Sequence, residues 1–164
     1  MTTATFDSRL ATSSSLLRRL ATLVFATDAG WGATALRLIL GLVIFPHGAQ
    51  KLFGWFGGYG VTGTLGYFQS LGIPTFFGAL AIAAETLGAL ALILGLGTRL
   101  AALGVATNFA VAALMVHLQF GFFMNWFGNQ KGEGVEYLII GIALAATVIV
   151  LGGGRFSIDR RLTR

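Results

Sequence analysis

The chain contains no cysteine, which excludes disulfides, Cys-x-x-Cys redox pairs, iron–sulfur clusters, thiolate zinc sites and covalently attached c-type haem. It is also poor in charge. Only 10% of its residues are Asp, Glu, Lys or Arg, against about 25% in soluble domains. With 55% hydrophobic residues the chain lacks the polar side chains needed to cover a water-facing surface, and it reads as an integral membrane protein. No Asn-x-Ser/Thr acceptor occurs. There is no G-x-S-x-G elbow, P-loop, H-E-x-x-H or Glu-x-x-His pair, which leaves no hydrolase, nucleotide or di-metal signature. Two histidines are too few, and too differently placed along the chain, for a convincing haem site. The net charge of +5 comes from arginines and lysines at helix ends and tails. No basic patch with interleaved aromatics is present, so membrane topology and anionic headgroups explain the charge better than nucleic acid does.

What the sequence does have is four long apolar runs, near 31–53, 76–96, 99–120 and 135–151, each long enough to cross a bilayer. They predict an all-α fold: a polytopic bundle of four transmembrane helices in a domain over 31–152. Residues 1–30 form a separate segment and 153–164 a basic tail. From Leu16 to Thr27 the leucines fall on one arc of a helical wheel and Arg18 and Arg19 on the other, as in an amphipathic helix lying in the headgroup plane. Asp28 is a candidate cap for the first span, with Trp31 at the interface. The first apolar run is longer than a signal h-region and lacks an A-x-A site, which predicts that it is retained.

Orientation follows from the basic residues. Arg9, Arg18, Arg19, Arg99, Arg155, Arg160, Arg161 and Arg164 lie on one side of these spans, with Lys51 and Lys131 on the other. Eight against two places both termini in the cytoplasm, in the inner membrane of a bacterial cell. The 96–99 connection is tight and makes an antiparallel hairpin of the second and third spans. The other two loops face outward. They carry Trp55, Tyr59, Tyr67, Trp126 and, at the start of the last span, Tyr137, an aromatic belt in prospect. A short helix is expected over Thr62 to Leu71.

The informative residues are the polar ones inside the membrane, since each Arg or Lys at a helix centre costs about 3 kcal/mol on insertion scales. On a helix Arg37, Gly41, Ile44, Gly48 and Lys51 line one stripe, with His47 one turn before Lys51. Pro46 frees the carbonyl of Leu42 and is expected to bend the span. Either these groups form a polar pocket open to the outside, or Lys51 snorkels to the headgroups and His47 bonds a loop. Glu85 falls mid-span, where a carboxylate must be protonated or paired; Arg37, Lys51 and His47 are its candidate bases. Asn108 and His117, nine residues apart, point to opposite sides of a straight helix, and Asn108 reads as interhelical glue. Glu133 and Glu136 open the fourth span, either as dipole-favoured carboxylates or drawn against His47, Lys51 and His117.

At these residues the chain resembles the DoxX family of small four-span membrane proteins. The resemblance rests on R-x(9)-H-G-x-x-K-L at 37–52, G-x-P at 72–74, A-E-T-L-G-A-L at 84–90, the turn L-G-L-G-T-R at 94–99 and G-E-G-V-E-Y at 132–137. It implies a membrane subunit associated with quinone-linked oxidoreductases, among them terminal quinol oxidases and thiosulfate–quinone systems. The implied site residues are Arg37, His47, Lys51, Glu85, Glu133 and Glu136. Together with His117 they form the expected polar cluster, with no metal ligand set and no residue catalytic by itself.

Three functions compete on this basis. The first is an accessory subunit of an electron-transfer complex, with a quinone-head-group pocket near the outer face and other membrane subunits as partners. The second is a purely structural docking subunit. The third is a small proton-coupled transporter, disfavoured by the lack of a broken inverted repeat.

Overall fold

The computed structural model describes Arg19, Ala21, Thr22 and residues 24–163. The expected amphipathic helix falls largely outside them; Leu16, Leu17, Arg18, Leu20 and Leu23 are not described, whereas Arg19, Ala21, Thr22, Val24 and Phe25 are helical. Beyond this segment the helices are α1 (Trp31–Phe53), α2 (Gly60–Ser70), α3 (Thr75–Leu94), α4 (Thr98–Ala112), α5 (Glu136–Leu151) and α6 (Ile158–Leu162). No strand occurs among the described residues. A 3₁₀ turn at Trp55–Gly57 leads from α1 towards α2, and α4 is prolonged by a π turn, Ala113–His117, and a 3₁₀ turn, Leu118–Phe120.

Three of these helices are long and apolar enough to cross a membrane: α1, α3 and α4 with its extension to Phe120. The fourth apolar helix, α5, has 16 residues and at 1.5 Å per residue is about 24 Å long. The four close a ring in which α1 packs on α3, α3 on α4, α4 on α5, and α5 back on α1. At its centre Leu40, Ala89, Val105, Phe109 and Ala145 form one buried cluster.

The α1–α3 seam is the tightest. A Cβ added at Gly48 would lie 2.5 Å from the carbonyl oxygen of Glu85, and one at Gly41 would lie 2.9 Å from that of Ala89. Only glycine lets the backbones come this close. The stripe from Arg37 to Lys51 therefore faces α3. α1 runs through Pro46 without a break in the helix. Asp28 does not cap α1; its carboxylate accepts the N–H of Gly30 at 2.7 Å.

Residues 153–163, in the basic tail, pack against the bundle. Ser157 and Asp159 are buried because the segment folds under the α3–α4 hairpin. The Asp159 carboxylate accepts the N–H groups of Gly97 and Thr98 at 2.6 and 2.9 Å, and its own N–H donates to Gly95 at 2.9 Å. A carboxylate at the start of α4 satisfies donors that have no partner within that helix. The N–H of Asp28 donates to Leu151 at 2.8 Å, so the segments before α1 and after α5 meet at one end of the bundle, the terminal end.

Arg37 belongs to that end, apart from the other residues of the expected polar cluster. It is 2% exposed. Nε donates to the carbonyl of Gly153 at 2.6 Å, Nη1 to those of Leu92 and Ile93 at 2.7 and 2.6 Å, and Nη2 to that of Phe156 at 2.8 Å. The guanidinium thus ties the C-terminus of α3, whose dipole is negative there, to the chain beyond α5. Arg37→Met is expected to lower the unfolding free energy in detergent by about 3 kcal/mol, as expected for lost charge-assisted hydrogen bonds in a buried setting. Arg37→Lys, which keeps the charge without the planar fork, loses less. Melting curves for the two variants check this, and a wild-type melt for Arg37→Met would contradict the structural role.

Candidate functional site

One turn beyond Gly48, at the opposite end of the bundle from Arg37, Lys51 Nζ donates to Glu85 Oε2 at 2.5 Å. Across the bundle Asn108 Nδ2 donates to Glu85 Oε1 at 2.6 Å. Three helices, α1, α3 and α4, thus converge on one carboxylate that is 5% exposed. Glu85 takes Lys51 as its base, and Lys51 points into the bundle rather than snorkelling to headgroups. The ammonium and carboxylate cancel, so the network is neutral and both carboxylate oxygens are bonded. That answers the desolvation problem of either charge alone.

The network opens on a cavity of about 1050 Å³ whose wall includes His47, Lys51, Tyr67, Glu85, Asn108, His117, Glu133 and Tyr137. His47 is directed to this space with its ring centroid 6.2 Å from that of Tyr137, and the Tyr137 ring rests 5.9 Å from Phe109. Neither the His47 ring nor the Tyr137 hydroxyl has a hydrogen-bond partner among the described residues. Both stand in the wall of the cavity that holds the neutral network. Tyr137 is a wall of the site rather than a member of the outer aromatic belt, in contrast to Trp55, Tyr59 and Trp126, which are exposed.

Asn108 and His117 share the cavity although nine α-helical residues set them about 180° apart. The π turn is the reason. Leu118 donates its N–H to Ala113, five residues back, and the extra residue in that turn rotates the rest of the helix by about 100°. Asn108 belongs to the site through its bond to Glu85, the interhelical contact expected of it, and the π turn beyond it alters the phase of His117 alone.

Of the two roles open to the outer carboxylates, Glu136 stands in the first turn of α5, and neither carboxylate bonds the side chain of His47, Lys51 or His117. Glu133 accepts the Asn125 N–H at 2.6 Å, and Glu136 accepts that of Met124 at 3.2 Å. His117 Nδ1 lies 2.8 Å from the carbonyl oxygen of Glu133 and donates to it. These bonds fold the 121–135 loop over the cavity and engage neither Lys51 nor His47, because the loop's own N–H groups lie nearer to the carboxylates. Among the described residues no three His, Asp or Glu side chains gather as a metal would need.

A family model described as DoxX matches residues 32–118. The chain belongs to the DoxX family. The matched region of this DoxX protein runs from α1 to just past the π turn, so it includes Arg37, His47, Lys51, Glu85, Asn108 and His117. The DoxX chain is also similar to "Putative oxidoreductase CatD" of Bacillus subtilis (strain 168), at 30% identity over 125 residues, 76% of this chain and 81% of the relative. No solved structure matches it.

If the Lys51–Glu85 pair is a coupled unit, removing either partner leaves an unmatched charge. Lys51→Met and Glu85→Gln are each expected to cost about 3 kcal/mol in the DoxX protein, whereas the double variant costs much less than their sum. Chemical or thermal unfolding of all four proteins in one detergent measures this cycle. Simple additivity would show that the pair is not an energetic unit.

Proposed function

We propose that this DoxX protein is an integral accessory subunit of a quinone-linked oxidoreductase, lying in the inner membrane with both termini cytoplasmic and holding a quinone head group in the outer cavity. The observation that carries the reading is a charge-neutral Lys51–Glu85–Asn108 network beside two unbonded groups, His47 and the Tyr137 hydroxyl, at the polar end of an apolar cavity. A net charge in the site would favour an ionic ligand. Cancelled charge, with a ring nitrogen and a phenol free to donate, suits an uncharged head with carbonyl oxygens.

His47 and Tyr137 would orient such a head by hydrogen bonds, and the loop held by Glu133 and Glu136 would shield it from water. Lys51 and Glu85 keep the site neutral while remaining close enough to respond to a proton at the head. A bound quinone supplies two-electron, two-proton chemistry, and with no cysteine in the chain the electrons would pass to and from a partner subunit. The name of the Bacillus relative agrees with an oxidoreductase setting. The eight-to-two distribution of basic residues supports the orientation.

The test is purification of the tagged protein from its native membranes in mild detergent, with copurifying subunits identified by mass spectrometry and lipids extracted for quinone. Redox subunits and quinone are expected with the wild type. The His47→Ala/Tyr137→Phe variant is expected to keep the subunits and lose about tenfold of its quinone, at about 1 kcal/mol or less per hydrogen bond. A lone chain without quinone or redox partners would sink the proposal.

A further inference from the structure

The cavity is larger than a ring-shaped head requires. Pockets that enclose whole drug-sized ligands span about 300–1,000 Å³, and this one reaches about 1050 Å³. Its excess volume has a direction. From Asn108, whose amide belongs to the network, the wall continues along α4 to Leu100, 8 residues or about 12 Å of helix. Thr107 apart, the α4 residues lining this stretch are apolar, and Leu80 on α3 and Leu103 on α4 are about half exposed on the outer surface of the bundle, where lipid lies.

Two seams of α3 differ in kind. On the α1 side the glycines are obligatory, since a Cβ at Gly41 or Gly48 would strike α3 backbone atoms. On the α4 side they are not. A Cβ at Gly104 would lie 3.7 Å from Ala84 Cβ, and one at Gly88 would lie 3.7 Å from Val105 Cγ2, both ordinary contacts. The small residues between α3 and α4 do not serve close packing of backbones. They leave a trough, open sideways to the bilayer, that ends at the Lys51–Glu85–Asn108 network.

We propose that this trough holds the hydrocarbon tail of the ligand, so that the site takes a long-tailed amphiphile with an uncharged, hydrogen-bonding head that arrives laterally from the membrane between α3 and α4. Ala84 and Gly104 determine this specificity by their smallness. The inference rests on the quinone reading of the head site and adds the tail, its location and the access route. An anionic lipid head is disfavoured because Glu85 already neutralises Lys51 and the Glu133 carboxylate stands in the same wall.

Binding of two probes to the full chain in nanodiscs tests the inference: a tail-less benzoquinone and the same ring carrying a decyl chain. Affinity is expressed as mole fraction in the bilayer, so that partitioning cancels, and is read from protein fluorescence and from the shift in melting temperature. The decyl compound is expected to bind at least about tenfold more tightly, from van der Waals contacts of the chain with the trough walls. Gly104→Leu, which fills the trough, is expected to remove that advantage while leaving the tail-less probe unchanged. Gly104→Ala adds one methyl in ordinary contact, folds with the bundle and reduces the ratio by less. Equal affinities for the two probes would overturn the tail site and leave the head site standing. Equal weakening of both probes by Gly104→Leu and Gly104→Ala would likewise overturn the trough. Binding of neither probe would overturn the head-site reading and this inference together.

Discussion

Bringing the backbones of α1 and α3 into contact is the constraint on which the molecule depends. Gly41 and Gly48 make it possible, because any side chain there would collide with carbonyl oxygens of α3. The consequence is that one face of α1, with a cation near each end, is committed to α3 in hydrocarbon, where an unmatched cation is not tolerated. The two cations are satisfied in different ways. Arg37 meets backbone carbonyls at a helix end, through a planar fork suited to several acceptors at once. Lys51 meets a carboxylate, its compact charge matched by another.

This division separates stability from function along the bundle axis. The Arg37 end is closed: carbonyls, Asp159 and Ser157 all find partners within the protein, and the C-terminal segment packs against the hairpin it covers. The Lys51 end is closed electrostatically yet open in space, with His47 and Tyr137 left facing a cavity. The two seams of α3 repeat the contrast. The seam with α1 has no spare room, and the seam with α4 has a trough.

The DoxX signature in the sequence concentrates on these features. The spacing R-x(9)-H-G-x-x-K-L holds Arg37, Gly48 and Lys51 on the face that meets α3, and A-E-T-L-G-A-L supplies both the carboxylate for that face and the small residues for the next. The acidic pair at 133 and 136 serves the loop that covers the cavity. Charge, packing and loop closure are therefore written in separate motifs that meet at one end of the bundle.

The sequence by itself determined the membrane class, the all-helical fold and the helical runs, because hydrophobic length and a scarcity of charge permit little else in a bilayer. It also determined that Glu85 needed a base and that Arg37, His47 and Lys51 shared one span. Which base Glu85 takes was decided by tertiary structure: Arg37 and Lys51 share a stripe, and only the register set by Gly48 brings Lys51 alongside Glu85 while Arg37 meets Leu92 and Ile93. Asn108 is the interhelical link its place in a span suggests, whereas the phase of His117 was hidden, since a single π turn shifts it without leaving an obvious mark in composition. The choice between the two roles open to the outer glutamates was not legible, because their partners are backbone N–H groups of a loop, whose position no side-chain pattern encodes. Asp159, in a segment that looks like a basic tail, became a helix cap only once the chain folded back to the α3–α4 turn. Periodicity and hydropathy are properties of one helix at a time, whereas a site built from three helices and a loop exists only in the distances between them.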